Sequence, residues 1–168
     1  MNDRIKHQRS ILNRRIEEQY ELLKSSETAN IFKHVLVTDD QADFKELMIV
    51  SLLLFEKFKL IEILPIIHIQ ETTYRKKLLP NVKQNKNPDF RLDGEYWELE
   101  CPKFPYRYIN IDTRLHKRTA QADNVILYFK KHVNSTTVKN IVKERMKRFK
   151  KPLKVIVIIN LEIVFMEP

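Results

Sequence analysis

Five carboxylates gather in one short stretch, NPDFRLDGEYWELECPK, residues 87–103: Asp89, Asp93, Glu95, Glu98 and Glu100. The stretch also holds the only glycine (Gly94), the only tryptophan (Trp97) and the only cysteine (Cys101) of the chain. Asp93-Gly94 between two alternating runs is the signature of a two-residue hairpin turn. With those two residues as the loop, Leu92 faces Glu95, Arg91 faces Tyr96, Phe90 faces Trp97 and Asp89 faces Glu98. Side chains alternate along a strand, so Phe90, Leu92, Trp97, Leu99 and Cys101 share a core face, while Asp89, Arg91, Tyr96, Glu98 and Glu100 share the other. Two opposed acids with a third two residues on repel one another. A cation between them relieves the repulsion, and hard oxygen donors at this density suit Mg²⁺ or Mn²⁺ shared with a substrate phosphate. A solvated strand face, with Arg91 neutralising one neighbour, would give the same alternation. A slip of one residue would reverse every facing.

Other chemistries find less support. His68, His116 and His132 have no zinc-ligand spacing with Cys101, and Cys101 is expected to point inward, away from a nucleophilic role. A chain with one glycine has no glycine-rich phosphate loop. Beyond the hairpin lie Arg107, Arg114, Lys117 and Arg118, with Tyr106 and Tyr108 interleaved. Such cations would position a nucleic-acid backbone, and exposed tyrosines would stack bases, although tyrosines flanking Pro105 also serve as packing residues. Lys139, Lys143 and Lys147 form a further basic stripe that a solvated helix face explains equally well.

The elements that must position these groups can be read coarsely from the 168 residues. A net charge of +9 favours a polyanionic partner, nucleic acid before an anionic membrane surface. One cysteine excludes an internal disulfide framework. The basic, polar N-terminus lacks the apolar core of a signal peptide, and Leu47 to Phe55 is too short to cross a bilayer, so a soluble cytoplasmic protein is expected. Periodicity predicts a helix over 3–25, then a linker, which divides the chain into an N-terminal helix (1–30) and a main domain (31–168). The basic residues of that helix read as a solvated face, with a nucleic-acid arm or a homodimer contact as the alternatives. Thr38-Asp39-Asp40-Gln41 matches a capping box opening a buried helix over 39–58. A strand is expected at 60–64, an extended piece after Pro65, and a basic loop over 71–87. After the hairpin come a short helix (112–122), a strand (124–129), an amphipathic helix (135–150) and one or two closing strands. On that helix Val138, Ile141, Val142, Met146 and Phe149 share one face. The order implies an α/β fold with a mixed sheet flanked by helices.

Pro88-Asp89 followed across a hairpin by Glu98-Leu99-Glu100 resembles the signature of the PD-(D/E)XK nuclease superfamily. FKELMIVSLLLFEKFKLIEILP, NPDFRLDGEYWELECP and AQADNVILYF, in that order, resemble one branch of it over residues 42–130. That branch comprises the nuclease toxin domains at the C-termini of contact-dependent growth inhibition proteins, several of which cleave tRNA. The resemblance implies a restriction-endonuclease-like sheet and a toxin-like phosphodiesterase acting on RNA in preference to DNA, held in check by a cognate inhibitor protein. It implies Asp89 and Glu98 as metal-binding acids, Glu46 as the accessory acid of the buried helix, and Gln121 as a positioning residue. One departure matters. The family's lysine falls at Glu100. Glu100 could serve as water-activating base or extra metal ligand, Lys103 could reach back to replace the lysine, or the site could be a catalytically silent nucleic-acid-binding module. A protein-interaction domain is the third class of reading.

Overall fold

The computed structural model describes residues 3–83, 85–118, 123–149 and 153–167. The chain is a mixed α/β protein that divides into two compact units, Met1–Gly94 and Glu95–Pro168.

The first unit contains α1 (Asp3–Leu12), a 3₁₀ turn (Ile16–Gln19), β1 (Tyr20–Ser25), β2 (Asn30–His34), α2 (Phe44–Leu53), β3 (Leu60–Ile63), α3 (Thr72–Leu78) and β4 (Phe90–Leu92). Its strands run in the order β1-β2-β3-β4, with antiparallel, parallel and antiparallel pairings. Ile31, Ile61, Ile63, Phe90 and Leu92 from these strands are fully buried, as are Val50 and Leu54 of the α2 region.

Three expectations fail in this unit. The helix foreseen over 3–25 stops at Leu12, and Tyr20–Ser25 is a strand. Tyr-Glu-Leu-Leu-Lys carries good helix formers, but Tyr20 pairs with His34 and Ser25 with Asn30 along β2, so the ladder outweighs local propensity. The capping box does not form either. Thr38 donates to Asp40, and α2 opens only at Phe44, with no side-chain cap from Asp43. The basic loop foreseen over 71–87 contains α3, and its Arg75 is buried rather than solvated. Nη1 of Arg75 donates to the carbonyl of Ile67 (2.7 Å) and to Oδ1 of Asn87 (2.7 Å). Nη2 donates to the carbonyls of Lys83 (3.2 Å) and Lys86. One arginine thus supplies donors to a segment without ladder partners. The strand at 60–64 appears as β3, whereas the piece after Pro65 forms no strand.

Asp93 and Gly94 both have positive φ (45° and 89°), the conformation that a two-residue turn demands and that only glycine adopts freely. Asp93 is bound into the first unit. Its Oδ1 accepts from the backbone N–H of Leu60 (2.8 Å) and its N–H donates to the Leu60 carbonyl (2.9 Å).

The second unit contains β5 (Glu95–Glu100), α4 (Tyr108–Arg118), β6 (Asn124–Phe129), α5 (Ser135–Lys147), β7 (Lys154–Ile159) and β8 (Glu162–Met166). The order is β5-β6-β7-β8, parallel, parallel, antiparallel. Each parallel pair is joined by a helix, β5-α4-β6 and β6-α5-β7, which is what parallel neighbours require. Asn134 caps α5, its Oδ1 accepting from the Thr137 N–H at 2.9 Å. Val138, Ile141 and Val142 are buried, and Met146 and Phe149 pack against the same core as expected.

Candidate functional site

Register places the acids of β5. Glu98 pairs with Val125 and Glu100 with Leu127; Val125 pairs in turn with Val155, and Leu127 with Val157. Cross-strand partners share a face. Glu98 and Glu100 therefore lie on the same face as Val125, Leu127, Val155 and Val157, the face whose core also takes Ile111 and Leu115 of α4 and Val138, Ile141 and Val142 of α5. The expectation of a polar outer face opposite a core face is corrected here. Trp97, Glu98, Leu99 and Glu100 are all buried, so both faces of β5 are covered.

A buried carboxylate needs a partner, since desolvation costs several kcal/mol per ion (roughly). α4 supplies it. Nη1 of Arg114 donates to Oε1 of Glu100 at 2.7 Å. Arg118 donates from Nε to Oε2 of Glu100 and from Nη1 to Oε1 of Glu98, both at 2.6 Å. Arg114 and Arg118 stand four residues apart, one turn of helix, so both reach the same strand. α4 is itself held from behind. Its buried Asp112 accepts from Nε of Arg145 on α5 at 2.6 Å. Ile111 and Leu115 fix its apolar side in the core.

Above this network lies an open pocket of about 520 Å³ lined by Glu100, Lys103, Ile109, Asn110, Thr113, Arg114, Lys117 and Arg118. The side-chain ammonium groups of Lys103 and Lys117 make no hydrogen bond or ion pair among the described residues and face solvent over two guanidinium groups already engaged below. Four cations against Glu98 and Glu100 leave the pocket electropositive with an acid at its floor.

The sequence-derived residues distribute unevenly. Glu98, Glu100, Lys103, Arg114, Lys117 and Arg118 come together here. Arg107 is exposed and does not line the pocket; its carbonyl accepts from the N–H groups of Asn110 and Ile111 at the start of α4. Asp89 and Glu46 belong to the first unit, Asp89 with its carbonyl accepting from the Leu64 N–H (2.9 Å) and Glu46 half-buried in the first turn of α2. Gln121 lies outside the described residues. Arg91, on the first strand of the hairpin, has an acid partner on a neighbouring strand. It pairs with Glu62, its register partner on β3. Asn110 and Thr113 were not singled out from the sequence. The signal was present, because Asn110, Thr113, Arg114, Lys117 and Arg118 follow helical spacing, but it is visible only when α4 starts at Tyr108 rather than at Asp112.

Hard carboxylate oxygens would suit Mg²⁺ or Mn²⁺. At this floor, however, both oxygens of Glu100 and Oε1 of Glu98 already accept from guanidinium groups. Among the described residues no group of three His, Cys, Asp or Glu side chains is placed to hold a metal ion. A cation would have to take these oxygens from Arg114 and Arg118.

Residues 86–163 match the family model of the contact-dependent growth inhibition CdiA C-terminal domain, somewhat less than half of the chain. The match spans β4, β5, α4, β6, α5 and β7, and so contains the whole pocket. It supports the toxin family. No curated protein and no solved structure matches the chain. Among the described residues no helix is long and apolar enough to cross a membrane.

Proposed function

We propose that this chain is a toxin-like nuclease domain that binds a nucleic-acid backbone in the α4–β5 pocket, RNA in preference to DNA. The observation that carries the reading is the convergence of Lys103, Arg114, Lys117 and Arg118 on a pocket floored by Glu100. The net charge of +9 and the match to a growth-inhibition toxin domain point the same way. Phosphate oxygens would take the free ammonium groups of Lys103 and Lys117 first. Glu100, the acid that lines the pocket, would take the proton of an attacking oxygen once one of its oxygens is released by Arg114 or Arg118. One P–O bond forms and one breaks, with the leaving oxygen protonated by Lys103, Lys117 or water. Arg114 and Arg118, which line the same pocket, would stabilise charge developing on the phosphoryl group. A cytoplasmic site of action and a cognate inhibitor protein belong to the same proposal, as does a homodimer through the N-terminal helix.

The PD-(D/E)XK reading, with Mg²⁺ or Mn²⁺ on Asp89, Glu98 and Glu46, competes with the guanidinium contacts and is tested by the same experiment. Total tRNA and plasmid DNA would be incubated with wild type, Glu100→Gln and Asp89→Ala/Glu98→Ala, with and without either metal, alongside calorimetric titration of the metals. Cleavage of tRNA lost in Glu100→Gln is the expected result. Cleavage only with metal, together with a binding heat absent from the double variant, would favour the metal-dependent reading. Salt-sensitive binding without cleavage would favour a silent nucleic-acid-binding module, which the full engagement of both Glu100 oxygens already commends. Absence of both binding and cleavage would sink the proposal.

A further inference from the structure

Phe104, Tyr108 and Ile109 are 63%, 49% and 62% exposed. Single exposed apolar residues are ordinary on a protein surface, but these three fall within six consecutive residues, one of which, Ile109, lines the pocket. Lys103 and Ile109, next to Phe104 and Tyr108 in the chain, line the pocket itself. Tyr106, between the two exposed rings, does the opposite. Its ring packs edge-on against Phe129 with centroids 5.1 Å apart, and its hydroxyl accepts from the Lys131 N–H at 3.0 Å. Tyr106 therefore anchors the segment; the Phe104 ring leans edge-on against it with centroids 5.6 Å apart, yet Phe104 and Tyr108 remain largely exposed. The Lys131 ammonium sits 4.8 Å from the centroid of the Phe104 ring, so a cation already accompanies this aromatic surface.

Exposed aromatic faces interleaved with cations are what single-stranded nucleic acid needs, because unstacked bases find ring faces while phosphates find ammonium groups. A duplex keeps its bases stacked on one another and offers such a surface only its backbone. We infer that Phe104 and Tyr108 form a base-stacking lip on the pocket, and that its ligand is single-stranded or looped nucleic acid. The phosphate lies on Lys103 and Lys117, and the flanking bases lie on the two rings. This rests on the reading of the pocket as a backbone-binding site. An apolar protein partner is the competing occupant, and the test separates the two.

The test is fluorescence anisotropy of the full chain with a short labelled single-stranded RNA and with the duplex of the same sequence, over a series of salt concentrations. Phe104→Ala and Tyr108→Ala should each weaken single-strand binding by about tenfold, at the scale of one lost base stack, without changing the salt slope. Both should leave duplex binding unchanged, and Tyr108→Phe, which keeps the ring, should bind as wild type. Both alanine sites are exposed, and unchanged thermal unfolding of the variants excludes a folding defect. Wild-type single-strand affinity in both alanine variants, or equal losses on single strand and duplex, would overturn the lip while leaving the pocket intact. No salt-dependent binding by wild type to either RNA would overturn the pocket reading and the lip with it, in favour of the protein partner.

Discussion

Arg75 in the first unit and Arg118 in the second are both helix arginines that serve oxygens below them, and they do opposite jobs. Arg75 is 5% exposed and spends its donors on three backbone carbonyls and Asn87. It borders a cavity of about 650 Å³ but is itself nearly fully buried, and burial alone lowers its pKa. The Arg118 side chain is 36% exposed, bridges two buried carboxylates and lines a pocket. A guanidinium that is itself buried and satisfies backbone groups stabilises a loop. One that satisfies acids at an open floor also leaves charge in reach of a ligand. Burial of the partner and exposure of the arginine, taken together, separate scaffold from site.

The largest effect should come from removing the buried arginine. Arg75→Met removes the donors of one buried and three part-buried hydrogen bonds, at ~1–3 kcal/mol for each oxygen left without a donor, and should lower the urea-unfolding free energy by about 3–5 kcal/mol. A change under ~1 kcal/mol would mean that the segment finds water instead.

The pH dependence of the first unit should be next. His34 is fully buried; its Nδ1 accepts from the Leu36 N–H (3.1 Å), and Nε2–H donates to Oε1 of Gln19 (3.2 Å) in the tautomer this implies. Gln19 in turn donates to the carbonyl of Arg14 (2.8 Å). Tyr20 meets the ring edge-on and Lys33 is the adjacent charge. Burial first, then Lys33, lowers the His34 pKa from 6.5 to about 4. The folded value lies below the unfolded one, so neutral His34 contributes stability that is fully present above pH 6.5, declines as the pH falls toward 4 and is lost below it. The loss should be about 2–4 kcal/mol at 1.36 kcal/mol per pH unit. Urea unfolding from pH 7 to pH 4 should show this slope in wild type (roughly) and a flatter one in His34→Gln. Equal slopes would refute the assignment.

Opening the site should destabilise less than opening the scaffold. Arg118→Met takes a guanidinium from two buried acids, normally ~3–5 kcal/mol for a broken buried pair, but Glu100 keeps Arg114 and the arginine's exposure lets water replace it in part, so about 1–3 kcal/mol is expected. Adding Glu98→Gln and Glu100→Gln should recover much of that loss in a thermal melt. No recovery would show that packing, not charge, is at stake. Smallest of all, Lys103→Ala or Lys117→Ala should change stability by less than ~0.5 kcal/mol, yet each should reduce the salt slope of nucleic-acid binding by about one. An unchanged slope would remove these lysines from the site and blur the comparison.

Much of the second unit was legible because its signals are local. Val138, Ile141 and Val142 recur at helical spacing on α5, and KVIVII could hardly be anything but a buried strand. The Asp93-Gly94 turn was readable because its positive φ values demand those residue types. The first unit was harder. β1 looks helical until β2 pairs with it, and Arg75 looks like surface charge until the oxygens around it are known. The helix-face signal of Asn110, Thr113 and Lys117 was hidden by placing the start of α4 one turn late.

The sequence by itself determined the α/β class, the turn at Asp93-Gly94, and the fact that Glu98 and Glu100 share one side of a strand, since alternation follows from backbone geometry alone. Only the tertiary structure decided that this side is covered, that α4 brings Arg114 and Arg118 onto the acids, and that Lys103 and Lys117 stay open to a ligand. Periodicity fixes which way a side chain points within its own element. What it meets there depends on a helix that follows in the chain and packs back, and no local pattern encodes that distance.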